Sequence, residues 1–222
     1  MTDTVMNNVP SNVVLNHNSW ALAFKRFIDV FCALSALFLL WPILFMIAIS
    51  VKITSPGPVL YRGLRGGYHW KSFRILKFRT MVHNAESLGG PTTGTNDPRV
   101  TNLGRFLRRT KLDELPQIIN ILVGDMSFVG PRPEVLKYTS RYDGEERLIL
   151  EMRPGITDYS SMKFADLDDR VGSDDPDAYF QQHILPEKNR LRVKYVKEWS
   201  LTGDFKILYE TLWVVIKRVF LI

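Results

Sequence analysis

The sequence is poor in the residues from which redox and metal sites are built. It has one cysteine, Cys32, so neither an internal disulfide nor a paired-cysteine zinc site can form. The four histidines, His17, His69, His83 and His183, are scattered without metal-ligand spacing. There is no GxxxxGK[ST], no GxGxxG after a strand, no HExxH and no GxSxG. The common nucleotide loops and hydrolase signatures are therefore missing. Internal repeats and low-complexity tracts are also lacking. Residues 1–24 contain no Lys or Arg, which rules out the n-region of a signal peptide. They read as a poorly ordered tail.

The most informative absence is that of charge between Val30 and Val51. About 20 apolar residues suffice to cross a bilayer core, and a wholly apolar helix of this length is unusual in the core of so small a domain. Membrane insertion follows. Lys25 and Arg26 precede the run, and Lys52, Arg62, Arg65 and Lys71 follow it, so both flanks carry the positive charge that marks the cytoplasmic side. Pro42, near the middle, removes a backbone donor and clashes with the carbonyl of Phe38. Two arrangements fit: a spanning helix with a proline kink, which membranes tolerate, and a hairpin that enters and leaves on one side. The residues alone lean slightly to spanning.

What is present beyond the run is basic and polar. The 222 residues carry 29 basic and 23 acidic side chains, a net charge of +6, suited to phosphates, anionic lipid or nucleic acid. Residues 53–67 form a turn-rich exit with a short strand at Val59–Tyr61. Phe73–Met81 (FRILKFRTM) alternates apolar and basic residues as an extended segment does. Residues 84–104 form a long polar loop. A helix is expected over Leu103–Arg109 and another from Asp113, whose Leu115, Ile118, Ile119 and Leu122 share one face and which Gly124 closes. GDMSFVGPRPE is a short apolar stretch ending in a rigid turn. Leu136–Met152 reads as helix, Arg153–Thr157 as a turn, residues 165–177 as an acidic loop, and His183–Ser200 and Asp204–Ile222 as two basic, aromatic-bearing helices suited to a membrane interface or to covering the core.

Asp113 and Glu114 are the candidate chemical groups. As structure, Asp is a favoured N-cap, and acids stabilise a first helical turn. As function, a helix start keeps a carboxylate ionised and attracts phosphate. An ionised Asp can attack phosphorus, and a neighbouring Glu can help hold Mg²⁺. Lys77, Arg79, Arg108, Arg132 and Arg153 each stand beside a turn or helix start, and the guanidinium fork matches phosphate oxygens. Most such charges merely face solvent. Arg132 stands out because Pro131 and Pro133 fix the backbone on both sides.

Taken in order, KRFIDV (Lys25–Val30), the proline-broken apolar run, SPGPVLY (Ser55–Tyr61), FRILKFRTM, the long block DPRVTNLGRFLRRTKLDELPQIINILVGDMSFVGPRP (Asp97–Pro133) and RPGIT resemble the bacterial sugar transferases, the small monotopic polyprenyl-phosphate phosphoglycosyl transferases. The resemblance covers roughly residues 25–220. It implies an α+β, mostly helical fold: a tail over 1–24, a re-entrant helix-break-helix over 25–52 with the break at Pro42, and a cytoplasmic catalytic domain over 53–222 with interfacial C-terminal helices. It reverses the leaning toward a spanning helix. It implies Asp113 as nucleophile and Glu114 as its partner toward Mg²⁺, with Arg108 and Arg132 on the phosphates of a UDP-sugar and polyprenyl phosphate as acceptor. The expected place is the cytoplasmic face of a bacterial inner membrane. One departure is Trp41 before the proline, where some members have Ser.

Two rivals stand beside this reading. A membrane-anchored polyanion-binding module would suit the charge, but no aromatic platform or groove-reading motif supports a nucleic-acid partner. A membrane diphosphate hydrolase would use the same residues. The sequence does not name the sugar; its selection is expected from the loops 84–104 and 158–182. A homodimer is compatible with the sequence and not required by it.

Overall fold

The computed structural model describes residues 17–90, 92–94, 97–165 and 175–220. The expected tail thus lies largely outside the described residues, as does most of the acidic loop 165–177. Helix α1 runs over Ser19–Thr54, starting earlier than expected because the Asn18 side chain accepts from the Trp20 N–H as an N-cap. At ~1.5 Å per residue its 36 residues span about 54 Å. A break is expected at Pro42. The backbone stays helical through it, since one lost donor bends a helix more readily than it ends one.

The body that follows is mostly helical, with two small sheets. Strands β1 (Leu60–Arg65) and β2 (Phe73–Phe78) pair antiparallel, with Tyr61 opposite Lys77. Helix α2 spans Asn102–Thr110, capped by Thr101, and α3 spans Gln117–Val123, closed by Gly124 in the left-handed region. Strand β3 (Ser127–Val129) pairs in parallel with β4 (Gly155–Thr157). The last three residues of the RPGIT segment, expected to turn, are therefore a strand. Leu136–Met152 is not one helix: α4 covers only Leu136–Thr139, and a 3₁₀ segment covers Gly144–Glu151. Extended Asp143 and left-handed Gly144, φ 52°, interrupt the helix between them. Short helices α5 (Tyr159–Lys163) and α6 (Pro176–Tyr179) come next. A π-helical turn, Phe180–Ile184, leads into α7 (Leu185–Lys197), and α8 runs over Leu201–Phe220.

Helix α1 is part of the core. Ala33 packs with Phe73 and Ile75 of β2, Ile118 and Ile121 of α3, and Met126. Toward its other end, Ile47 and Val51 pack with Phe78 and Leu107, joined by Leu112 and Leu115. The charged residues before the apolar run fasten it further. Arg26 donates to the Ile121 and Leu122 carbonyls at the end of α3, at 2.6 and 2.9 Å. Buried Asp29 accepts from the Phe128 N–H at 3.1 Å. Lys25 donates to Asp204 at 2.6 Å and to the Val129 carbonyl at 2.8 Å. The opposite face of α1 exposes Phe27, Phe31, Phe38, Trp41, Phe45 and Met46. So large a contiguous apolar surface needs a nonaqueous neighbour.

Candidate active site

The two carboxylates lie between α2 and α3, in a 3₁₀ turn over Leu112–Glu114. Asp113 does not cap a helix. Lys111 holds the preceding position with φ 59°, and α3 proper begins at Gln117, after Pro116. Pro116 lacks an N–H, so the approach to α3 is made of short i→i+3 bonds: Leu115 to Leu112 and Ile118 to Leu115. Leu112 and Leu115 bury into the cluster around Ile47 and Val51, which seats the acidic turn beside the second half of α1.

The two acids are both buried and differ in partners. Glu114 receives Lys77 of β2 at 3.0 Å and the Arg132 guanidinium on the same oxygen, Oε1. Burial alone would raise its pKa, but Arg132, Lys77 and Lys111 outweigh that and hold the carboxyl well below its usual range. Asp113 has no such anchor: its Oδ1 is buried with no hydrogen-bond donor. Burial raises its pKa, Glu114 adds to the rise, and Lys77, Lys111 and Arg108 oppose it. Neighbouring carboxylates pushed in opposite directions serve different roles. Glu114 is a fixed anion that orders cations. Asp113 is a poorly solvated carboxylate with a free lone pair.

The predicted cations separate into two sets. Lys77 and Arg132 meet at Glu114. Arg108 lies near enough to act on Asp113 and donates to Thr80 Oγ1 at 2.9 Å and Thr93 Oγ1 at 3.1 Å, joining α2 to the loop before it. Arg79 and Arg153 are engaged elsewhere. Arg79 donates to the Ser55 carbonyl and hydroxyl, both at 2.7 Å, where α1 ends. Arg153 donates to the Gly124 carbonyl at 3.1 Å, with its guanidinium 4.9 Å from the centre of the Tyr68 ring. Both sit at helix C-termini, where carbonyls attract a cation. Two further polar groups escaped the sequence reading. Gln117, one turn beyond Asp113, is wholly buried, and both polar atoms of its amide lack partners. Asp158, also wholly buried, accepts the Arg132 backbone N–H at 3.0 Å. A lone acid after a turn carries no periodic signal by which one sequence could reveal it.

Among the described residues no group of three or more His, Cys, Asp or Glu could hold a metal. Asp113 and Glu114 nonetheless suit Mg²⁺, which takes one or two carboxylates and fills its shell with substrate phosphate and water. The free Oδ1 of Asp113 is the fitting donor, whereas Glu114 Oε1 is already engaged.

The profile of the family described as bacterial sugar transferase matches residues 20–218. A UDP-glucose:undecaprenyl-phosphate glucose-1-phosphate transferase of Escherichia coli (strain K12) is 37% identical over 84% of this chain and 39% of its own length. The exopolysaccharide production protein PSS of Rhizobium leguminosarum bv. phaseoli is 37% identical over 86% of this chain and 94% of its own. An undecaprenyl-phosphate galactose phosphotransferase of Salmonella typhimurium is 37% identical over 87% of this chain and 40% of its own. The chain thus spans about two fifths of the E. coli and Salmonella relatives and nearly all of the Rhizobium one.

Proposed function

The chain belongs to the bacterial sugar transferase family, and we propose that it moves a sugar 1-phosphate from a UDP-sugar to polyprenyl (undecaprenyl) phosphate, releasing UMP. The observation that carries this reading is the buried, unpartnered Oδ1 of Asp113 beside a Glu114 that gathers Lys77 and Arg132. Phosphoryl transfer asks for positioning and charge neutralisation more than for acid–base groups, and this cluster supplies both.

In the first step Asp113 attacks the sugar-proximal phosphorus. The bond from that phosphorus to the bridging oxygen breaks, and UMP leaves with the bond's electrons. A sugar phosphate remains on the Asp113 carboxylate as an acyl phosphate. In the second step a phosphate oxygen of the polyprenyl acceptor attacks the same phosphorus, and the carboxylate is freed. Lys77, Arg108 and Arg132 neutralise the phosphates in both steps. Mg²⁺, held by the Asp113 and Glu114 carboxylates with the donor's phosphate oxygens, would add further neutralisation at the diphosphate. Dividing the reaction lets one nucleophile meet a soluble and a lipid substrate in turn.

The same reading places the protein on the cytoplasmic face of a bacterial inner membrane, with α1 re-entrant by a bend at Pro42 while its backbone stays helical. Support comes from α1 being held by one small body from Arg26 to Val51. A helix so held could not deliver its ends to opposite aqueous sides without drawing those contacts through hydrocarbon.

The test is UMP release by detergent-purified protein with Mg²⁺, a panel of UDP-sugars and undecaprenyl phosphate. Acceptor-dependent release with parallel-line, ping-pong kinetics that Asp113→Asn abolishes is the expected result. An intersecting, sequential pattern would refute the covalent mechanism. Continuous UMP release without acceptor would make the protein a hydrolase.

A further inference from the structure

Arg132 has to be aimed, and its flanking prolines restrict φ without fixing the turn against the body. Asp158, at the junction of β4 and α5, is wholly buried, and the Ser160 hydroxyl lies 2.8 Å from its Oδ1 and 3.0 Å from its Oδ2. Oδ1 caps α5, accepting from Ser161 N at 2.6 Å and Ser161 Oγ at 2.7 Å. Oδ2 accepts the Arg132 N–H at 3.0 Å and lies 3.8 Å from Nε of Arg192 on α7. Arg192 is itself wholly buried. It donates to Glu134 Oε1 at 2.7 Å and to Asn189 Oδ1 at 3.0 Å. Glu134 lies two residues beyond Arg132 and also pairs with Lys188 at 3.3 Å. The turn is thus gripped on both sides of Arg132, by Asp158 at its backbone and by Arg192 through Glu134. Meanwhile the Arg132 guanidinium donates to the Ile156 carbonyl at 2.6 Å and reaches Glu114.

We propose that Asp158 and Arg192 are positioning residues that aim Arg132 at the phosphoryl-transfer site. No hydrogen bond or ion pair joins either of them to Asp113 or Glu114 among the described residues, so their effect on the reaction passes through Arg132. An ion network kept in a core is costly to desolvate, and an aimed catalytic cation is a reason for keeping this one. The inference rests on the reading of Asp113 and Glu114 as the site of phosphoryl transfer.

A double-mutant cycle on kcat/KM for the UDP-sugar tests it, using full-length protein in detergent with undecaprenyl phosphate as acceptor. Misplacing a catalytic group by ~1 Å costs about 10²-fold, so Asp158→Ala is expected to lower kcat/KM about 30- to 100-fold. In an Arg132→Ala background the same change should add less than about threefold, because the group it aims is gone. Arg132→Lys replaces that background where Arg132→Ala falls below detection, and Asp158→Asn replaces Asp158→Ala where the latter fails to fold. Arg192→Lys, which keeps the charge, should retain more activity than Arg192→Met. Losses that multiply independently of Arg132 would overturn the inference, as would a lowered melting temperature with unchanged kcat/KM per folded molecule. A wild-type chain that releases no UMP would instead refute the proposed function on which the inference rests.

Discussion

The joint between Lys25 of α1 and Asp204 of α8 yields an asymmetric prediction. Both side chains are about nine-tenths buried, and their charged atoms are 2.6 Å apart. Asp204 also accepts from the Tyr195 hydroxyl at 2.7 Å and the Trp199 indole N–H at 3.1 Å, and it lies in the first turn of α8, where helix amides favour an anion. Asp204→Leu leaves a buried ammonium without its counterion and orphans two more donors. A buried charge stripped of its partner costs about 3–5 kcal/mol, and the orphaned donors bring the total to about 5 kcal/mol. Lys25→Met removes the cation, but the remaining carboxylate keeps two donors and the helix start. The Val129 carbonyl loses the Lys25 ammonium without replacement, because the one Tyr195 hydroxyl proton is already given to Asp204. That change should cost about 2 kcal/mol. At 2–4 °C per kcal/mol for a chain of this size, the melting midpoints should fall by about 10–20 °C for Asp204→Leu and about 4–8 °C for Lys25→Met. Thermal melts of detergent-purified variants at one fixed scan rate would show this. Equal shifts, or a larger one for Lys25→Met, would refute the view that Asp204 is the hub of the joint.

Asp113→Asn should abolish UMP release while leaving the melting temperature unchanged or higher, because it removes a buried charge that has no hydrogen-bond donor at Oδ1; activity and melting measured on one preparation decide this. Burial would raise the Glu134 carboxyl, but Lys188 and Arg192 outweigh it and bring it down to about 2. The unfolded chain therefore takes up the proton first as pH falls, and the stability Glu134 contributes, full above its unfolded pKa of ~4.3, declines by about 2 kcal/mol at pH 3; melts from pH 6 to 3 should fall less steeply in Glu134→Gln. A Cβ on Gly155 would lie 2.1 Å from the Gly130 backbone nitrogen, so Gly155→Ala should part β3 from β4 at a cost of about 3 kcal/mol and lower activity with it, read by melting and UMP release together.

The sequence was legible where its signal is local. The expected helix over Leu103–Arg109 is α2, extended by one residue at either end, because its apolar residues share a face and Thr101 caps it. FRILKFRTM contains β2, and Lys77 does face Glu114. Illegible parts depend on distant partners. The last three residues of RPGIT are a strand because Ser127, far back in the chain, pairs with Gly155. The expected helix over Leu136–Met152 broke at Asp143–Gly144, where consecutive buried Leu148, Ile149 and Leu150 suit no single helical face. In the candidate site, adjacency made Asp113 and Glu114 visible together. Their opposite surroundings came from Lys77 and Arg132, one on a strand and one in a turn, and only folding brings these together.

Because α1 walls two of the hydrophobic clusters, it cannot be treated as a removable handle. Deleting it would strip Phe73, Ile75, Phe78, Leu107 and Ile121 of their cover and leave the Asp113 turn unsupported from below. A water-soluble version of the body is therefore not reached by trimming. It would require redesigning the outward face of α1 while leaving its inward face untouched, with polar residues replacing Phe27, Phe31, Phe38, Trp41, Phe45 and Met46.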